Sequence, residues 1–323
     1  MMTLQTRSSA SSAPAAMELI AEELLSAAEL NAPLARYSRV GIGGPADLLI
    51  IAEERSVLVR AVRLAIAHRL PWRVYGGLTN ILVPDSGLRG VVVLNRTANV
   101  AFEETYRLQA DAGAVVVKVA REAVARGWGG LTWAVGLPGT IGGAVVNNAG
   151  AFGGEISRIL TAADVLAPNG SVLHVPVDWF EFQYRCSKLK GAGAQWVVLG
   201  AEFQLREGDP QRLAAKATEY SERRQRTQPP GLTLGSTFKN PEGDYAGRLI
   251  EAAGLKGARC GGIKVSEHHA NFLINEGEGT AADFRALVES VQETVLDQFG
   301  VLLEPEIEIL PEEPSETGDH APT

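Results

Sequence analysis

The sequence predicts an α+β protein of two domains, and three observations lead there. The chain is 323 residues long with 46% apolar side chains, enough to bury about two cores. Helical and strand-like patterns alternate along its first two thirds. Near Arg206 the composition then turns from glycine-rich and apolar to polar and helical. Residues 17–205 are accordingly expected to form one domain and 206–310 a second, smaller one.

Taken in order, the first sixteen residues, MMTLQTRSSASSAPAA, are rich in Ser and Ala and lack the apolar core of a signal peptide. They are read as a disordered leader, with a helix opening at Met17 in MELIAEELL. Asp47 to Ile51 is strand-like. Ser56 to His68 carries one helical stripe of Val57, Leu58, Ala61, Val62, Ala65 and Ile66. Short β-like runs follow at Trp72 to Tyr75, Gly90 to Leu94, Leu108 to Ala112 and Ala162 to Leu166, bounded by Gly, Pro, Asn and Asp. A helix over Val115 to Arg126 interrupts them. From Gln211 the run QRLAAKATEYSERRQR predicts a polar helix that stops before Gln228-Pro229-Pro230-Gly231. The last helix, Thr280 to Phe299, takes Thr280 as N-cap and buries Phe284, Leu287, Val288, Val291, Val295 and Phe299, with Gly300 closing it. Val301 to Leu310 then alternates as a strand, Leu303, Ile307 and Ile309 on one face and Glu304, Glu306 and Glu308 on the other. The tail from Pro311 is acidic, proline-bearing and expected to be loose.

Charge narrows the function classes. A net charge of −8 and a pI near 5.3 argue against a groove that tracks nucleic-acid phosphates. Cys186 and Cys260 lie far apart, with neither CxxC spacing nor a His cluster nearby, which points to no metal and no disulfide, and to two free thiols in a reducing cytoplasm. The adjacent His268 and His269 cannot share a strand face or helical i, i+4 spacing, so they make no metal pair. No apolar run reaches the length of a membrane span.

Between Gly127 and Glu155 no side chain is ionisable, and Gly136 to Gly154, GLPGTIGGAVVNNAGAFGG, holds seven glycines in nineteen residues. Glycine reaches φ > 0 without penalty, so such a loop can aim successive N–H groups at a phosphate. With no cation supplied, it suits a long cofactor held by amides, such as a flavin dinucleotide. Two further glycine loops occur at Gly41 to Pro45 and at Tyr75 to Asn80. Neither is a Rossmann fingerprint, since the first runs into Pro45 and a strand. Each alone is more often just a turn; three within one segment favour a dinucleotide lying across them.

These loops belong to a larger set in fixed order. It comprises Arg39-Val-Gly-Ile-Gly-Gly-Pro-Ala-Asp47, Gly76-Gly-Leu-Thr-Asn80, Gly136-Leu-Pro-Gly-Thr-Ile-Gly-Gly143, Tyr184-Arg185-Cys-Ser187, Gly235-Ser236-Thr-Phe-Lys-Asn-Pro241, His269-Ala-Asn-Phe272 and Leu303-Glu-Pro-Glu306. In order and spread, over residues 36 to 310, the set resembles the UDP-N-acetylenolpyruvoylglucosamine reductases (MurB). The interval from Arg185 to Ser236 is short and resembles the subgroup with the shorter substrate domain, lacking an inserted clamping loop.

The resemblance implies an FAD-binding domain of the vanillyl-alcohol oxidase (PCMH) type in two α+β lobes, followed by a smaller α+β substrate-binding domain. It implies non-covalent FAD, NADPH as co-substrate, and reduction of a UDP-sugar enolpyruvate to UDP-N-acetylmuramate in peptidoglycan synthesis. In that family hydride reaches the enolpyruvyl methylene from flavin N5, leaving charge to be stabilised and one proton to be delivered. The implied catalytic residues are Arg185, a planar fork for a carboxylate; Ser236, the proton donor, with Lys239 as a neighbour; and Glu306. Cofactor contacts map to Arg39, Gly76, Gly77, Leu78, Thr79, Asn80, Gly136, Pro138, Gly139, Thr140, Gly142, Gly143, Ala144, Asn147 and Gly150. Substrate contacts map to Tyr184, Lys239, Asn240, His269 and Asn271. The working unit is expected to be a cytoplasmic monomer with no nucleic-acid or membrane partner.

Residue by residue, other readings stand beside these. Arg185 alone is as well a surface ion-pair residue, and Ser236 a turn cap. The alternating glutamates alone read as a solvated edge, or, if they line a cleft, as carboxylates that raise one another's pKa. Leu78 stands where the family usually has glycine, so its backbone is expected nearer β than left-handed. An FAD-dependent alcohol oxidase on the same cofactor fold, or a non-catalytic nucleotide-binding module, are the competing functions. Many such oxidases attach FAD through His or Cys, and the three glycine loops contain neither.

Overall fold

The computed structural model describes residues 12–24, 27–190 and 195–312. A helix α1 (Ala13–Glu23) opens it, with Ala16 and Ile20 buried. The helix therefore starts ahead of Met17: Pro14 is tolerated in a first turn, and Ala16 has a core to enter. The leader reading is corrected for 13–16, and residues 1–11 lie outside the described residues. After α1 come β1 (Ala28–Pro33), β2 (Pro45–Ala52), α2 (Arg55–Ala67), β3 (Trp72–Tyr75), β4 (Ile81–Leu82) and β5 (Leu88–Asn95). Four of these strands form a sheet ordered β1-β2-β5-β3. β2 and β3 run parallel to the central β5, which demands a crossover, and α2 supplies it by burying Leu58, Ala61, Val62 and Ala65 against the sheet.

The second lobe is antiparallel. It contains β6 (Val100–Phe102), β7 (Arg107–Asp111), α3 (Val116–Ala125), β8 (Trp128–Gly129), α4 (Ile141–Val146), β9 (Gly150–Ala151), β10 (Gly154–Glu155), β11 (Leu160–Leu166), β12 (Val172–Pro176), β13 (Val197–Gln204), β14 (Arg206–Glu207) and α5 (Pro210–Thr227). Its main sheet is ordered β12-β11-β13-β7-β6. α5, capped by Asp209, packs Leu213, Ala217 and Tyr220 onto this lobe and touches α3, while β14 pairs with β8. The structural boundary therefore falls after α5, not near Arg206. The polar composition that suggested a boundary marks only the solvent side of a helix whose few apolar residues face backward.

The third unit holds α6 (Ala246–Ala252), β15 (Arg259–Cys260), β16 (Ile263–Val265), β17 (Leu273–Asn275), α7 (Ala281–Phe299) and β18 (Glu308–Ile309). Its core includes Val40, Ile42 and Leu82 of the first lobe, so the two units share apolar packing. Asp85 accepts from the N–H groups of Ala281 and Ala282 at 2.9 and 3.1 Å, a carboxylate placed on the positive end of α7. β18 returns to pair in parallel with β4.

Three details depart from expectation here. Val301 to Leu310 is not one strand: only Glu308–Ile309 is, with an isolated bridge from Pro305 to Phe238. Phe299 is 38% exposed, because the last turn of α7 has left the core before Gly300 adopts φ 68°. The tail is anchored as far as Glu312, which accepts from Ser86 Oγ at 2.6 Å, and residues 313–323 lie outside the described residues. Among the described residues no helix is long and apolar enough to cross a membrane.

α7 starts in a reciprocal capping box: Thr280 Oγ1 accepts from the Asp283 N–H and Asp283 Oδ2 from the Thr280 N–H, each at 3.0 Å. Thr280→Ala is expected to lower unfolding stability by about 1 kcal/mol, read as a downward shift of the denaturant midpoint at unchanged slope.

Candidate active site

A cavity of about 940 Å³ runs between the three units. The glycine loops form much of its wall: Gly76, Gly77, Leu78, Thr79 and Asn80 after β3, and Pro138, Gly139, Thr140, Gly142, Gly143, Ala144, Asn147 and Gly150 around α4. Their glycines are packing requirements as much as turns. A Cβ on Gly76 would overlap Thr140 Oγ1, and one on Gly142 would lie 2.9 Å from Ala112 Cβ. A Cβ on Gly143 would meet nothing nearer than Thr140 Oγ1 at 3.7 Å, which leaves that position open toward the cavity.

Leu78 differs from expectation. Its φ is 46°, in the left-handed region, and its side chain is buried in a cluster with Leu34, Leu49, Val83 and Leu310. Burying a leucine contributes about 2 kcal/mol, which offsets a left-handed backbone cost of about 1–2 kcal/mol.

The three residues assigned to catalysis converge on the same cavity. Arg185 sits in a tight turn closed by hydrogen bonds between the Gln183 and Cys186 backbones, and its own φ is 55°. Asn148 of the glycine segment holds that turn through the Gln183 carbonyl at 3.0 Å. From there Arg185 Nε donates to Glu306 Oε1 at 3.1 Å, and its Nη2 donates to the Gly150 carbonyl at 2.6 Å. Both side chains are largely shielded, 19% and 25% exposed, so Arg185 is not a surface ion-pair residue.

Ser236 lies one residue before Thr237, whose carbonyl accepts from the Glu306 N–H at 2.8 Å. That bond puts Ser236 and Glu306 on adjoining chain segments. Among the described residues the Ser236 hydroxyl has no protein hydrogen-bond partner, and it faces the cavity free to act on a ligand.

The glutamates do not act as one face. Glu304 is exposed and pairs with Lys239 at 3.0 Å. Burial pushes the Glu306 carboxyl above its ordinary range, against the opposing pull of Arg185 and Lys190. Burial likewise raises Glu308, against Lys190 and Arg73. Desolvation, not mutual repulsion among carboxylates, is the cause.

Other assigned residues are redistributed. Lys239 is paired with Glu304 and is not part of the cavity wall. Gly136 also lies outside the wall, packed under Arg224. Asn271 is buried and spends both ends of its amide on Phe238, accepting from its N–H at 2.9 Å and donating to its carbonyl at 2.8 Å. It therefore shapes the Ser236 segment instead of offering polar atoms to substrate. Asn80 donates one amide N–H to the Glu306 carbonyl at 3.1 Å while still lining the cavity.

Asn240 Oδ1 accepts from the Ala246 N–H at the start of α6, at 3.1 Å, while Asn240 still lines the cavity. His269 lines it too; burial lowers its pKa, and its neutral Nδ1 accepts from the Asn271 N–H at 3.2 Å. Tyr184 is half exposed at the mouth, with the Arg185 guanidinium over its ring. Arg39 lines the wall and donates its backbone N–H to Leu78.

Sequence reasoning missed Lys190, Arg223 and Arg224, all on the wall. The last two sit at the end of the polar helix α5, where a run of basic residues reads as solvated surface. Burial, reinforced by Arg39, pushes the Arg224 pKa down. Among the described residues neither Arg39 nor Arg224 forms an ion pair. An elongated, glycine-walled, uncharged floor flanked by two unpaired arginines fits a dinucleotide cofactor with an anionic diphosphate. Among the described residues no group of His, Cys, Asp and Glu is placed to hold a metal.

Comparison with known proteins bears on this geometry. A family model described as an FAD binding domain matches residues 46–176, and one described as UDP-N-acetylenolpyruvoylglucosamine reductase, C-terminal domain, matches residues 227–310. The second match begins where α5 ends. The chain is 43% identical over 292 residues to a UDP-N-acetylenolpyruvoylglucosamine reductase of Rubrobacter xylanophilus, covering 90% of this chain and 98% of the relative. It is 39% identical over 287 residues to one of Streptococcus uberis, covering 88% and 94%. Among solved structures, the UDP-N-acetylenolpyruvylglucosamine reductase of Thermus caldophilus superposes with a TM-score of 0.76 at 32% identity, covering 88% of this chain and 98% of that one.

The glycine geometry separates folding from cofactor binding. Gly76→Ala is expected to lower both thermal stability and flavin content, because its Cβ meets Thr140. Gly143→Ala is expected to keep the thermal midpoint of the flavin-free protein and weaken FAD binding at least tenfold, measured by flavin fluorescence quenching.

Proposed function

The chain belongs to the UDP-N-acetylenolpyruvoylglucosamine reductase family, and from that premise we propose how its own residues carry the reaction. It is an FAD-dependent oxidoreductase that reduces UDP-N-acetylenolpyruvoylglucosamine in peptidoglycan precursor synthesis. NADPH is the electron donor in this reading, the FAD is held without a covalent bond, and the unit is a cytoplasmic monomer. Arg185, Ser236 and Glu306 all come from one chain, which supports a single-chain unit. Gly76 to Thr79 and Pro138 to Gly143 hold the cofactor by backbone amides, with Arg39 and Arg224 beside its phosphates. When bound, FAD supplies the hydride that the enolpyruvyl methylene carbon accepts.

The protein's own groups then manage one negative charge and one proton. Arg185, shielded and fixed by Glu306 and Gly150, presents its remaining donors to the substrate carboxylate, where charge grows during reduction. Glu306, its proton held more tightly by burial, acts in the protonated form as a hydrogen-bond donor to the same developing charge. Ser236 delivers its hydroxyl proton to the adjacent carbon. A serine is a weak acid, so this step works only because the acceptor is a strongly basic, carbanion-like carbon. Water restores the proton to the Ser236 oxygen afterwards. The observation that carries the reading is the joining of Arg185 and Glu306 at 3.1 Å on the cavity wall, with Ser236 on the chain segment hydrogen-bonded beside Glu306.

An anaerobic spectrum tests the function. NADPH is expected to bleach the bound flavin and the enolpyruvyl substrate to restore the oxidised spectrum without oxygen. Restoration by oxygen alone would establish an oxidase instead, and a colourless protein that takes up no FAD would establish a binding module. Ser236→Ala is expected to leave bleaching by NADPH near wild type while slowing substrate-driven reoxidation about 10²–10⁴-fold; equal loss in both half-reactions would remove Ser236 from the proton step. The pH profile of reoxidation is expected to fall on its alkaline side with an apparent pKa above the ordinary carboxylate value of about 4.3, because activity needs the protonated Glu306 and burial raises its pKa.

A further inference from the structure

Lys190 lies behind the Arg185–Glu306 pair and lines the same cavity. Its Nζ donates to the Glu306 carbonyl at 3.0 Å and to the Arg185 carbonyl at 3.4 Å. It thus ties together the backbones of two residues that stand 121 positions apart in sequence and whose side chains meet at 3.1 Å. The Glu306 carbonyl also receives Asn80 Nδ2, but among the described residues Lys190 alone reaches both backbones by its side chain.

The position of Lys190 is itself fixed. Its N–H donates to the Ser187 carbonyl in a turn, and Ser187 Oγ donates to the Val146 carbonyl of α4 at 2.7 Å. A short, braced path therefore runs from the glycine segment through Ser187 and Lys190 to Glu306.

We propose that Lys190 is a positioning residue for the reduction: its ammonium clamps Arg185 and Glu306 in one geometry and supplies a positive charge that sets how readily Glu306 releases its proton. The proposal rests on the roles given above to Arg185 and Glu306. The charged or titratable groups facing Lys190 are Glu306, Glu308, Cys186, Arg185 and Lys239; those facing Glu306 are Arg185, Lys190 and Lys239. Burial, aided by Lys239, pushes the Lys190 amine below its ordinary range, while Glu306, Cys186 and Glu308 favour its charged form. Arg185 already spends Nε on the Glu306 carboxylate, so Lys190 adds a second cation from the main-chain side of the same residue. Although Lys190 bonds the main-chain carbonyl and not the carboxyl, its charge favours the deprotonated form of this shielded acid, and a nearby opposite charge is worth about one pH unit or more. Lys190 therefore keeps the acid form of Glu306 from persisting far into the alkaline range.

The test uses the FAD-loaded protein and the pH profile of substrate-driven reoxidation. Lys190→Gln keeps a donor for the carbonyls and removes the charge, so the alkaline limb is expected to move up by about one pH unit. Lys190→Arg keeps the charge, and its limb is expected at the wild-type position. A Lys190→Gln limb that coincides with wild type, or a Lys190→Arg limb displaced as far as that of Lys190→Gln, overturns the proposal. Should Lys190→Gln fail to hold FAD, the Lys190→Arg limb alone decides, since displacement by a variant of equal charge overturns the electrostatic role and retention supports it. Glu306→Gln separates this from the reading beneath it. A limb that survives Glu306→Gln removes Glu306 as the titrating acid, whereas a limb lost in Glu306→Gln but unmoved in Lys190→Gln removes only the role of Lys190.

Discussion

The hydrogen bond from Arg185 to Glu306 is the joint on which the site depends. It closes a cycle through all three units. Arg185 is held by the glycine segment through the Gly150 carbonyl, and Glu306 is held by the first lobe through Asn80 and by the third unit through Thr237. A shielded polar contact of this kind is weak evidence for stability, because the cost of desolvating its groups offsets most of the gain. Its value is geometric: it lets each unit report its position to the other two. The left-handed backbone at Arg185 fits this view, since a strained residue persists only where its surroundings over-determine it.

The same logic explains the glycine segment. An amide-lined cradle needs backbone groups that approach one another and the ligand closely, and a Cβ at Gly76 or Gly142 would strike Thr140 or Ala112 before any ligand arrived. Close packing between loop and loop thus precedes cofactor binding. Charge enters from elsewhere, through Arg39 before β2 and Arg224 at the end of α5. Separating the amide cradle from its cations leaves the floor able to accept a flat, apolar ring along most of its length.

How much of this was legible in the sequence depended on whether the determining force was local. The stripe of α2, the run of β3 and the N-cap of α7 are set by near neighbours and are legible in the sequence. α5 was read as a helix but assigned to the wrong unit, because Leu213, Ala217 and Tyr220 are too few to dominate a polar pattern, though they decide where it packs. Val301 to Leu310 misled in the opposite way. Its alternation is real, yet its pairing is split between two partners: Glu304 and Glu306 bond the Thr237 to Lys239 backbone, and Glu308–Ile309 meets β4. The site was legible as a set of motifs, not as partners: nothing in the spacing of Asn271 or Asn80 says that the first bonds both backbone groups of Phe238 or that the second donates to Glu306.

Leu78 shows why that limit is physical. A leucine in place of glycine in such a loop argues locally for an extended backbone, because a left-handed leucine is strained. The decisive contribution comes from Leu34, Leu49, Val83 and Leu310, brought from the first lobe and the end of the chain. Their burial of the side chain outweighs the local strain, so the loop keeps the curvature a glycine would have given it. The departure from the family pattern is thereby absorbed by the core behind the cavity.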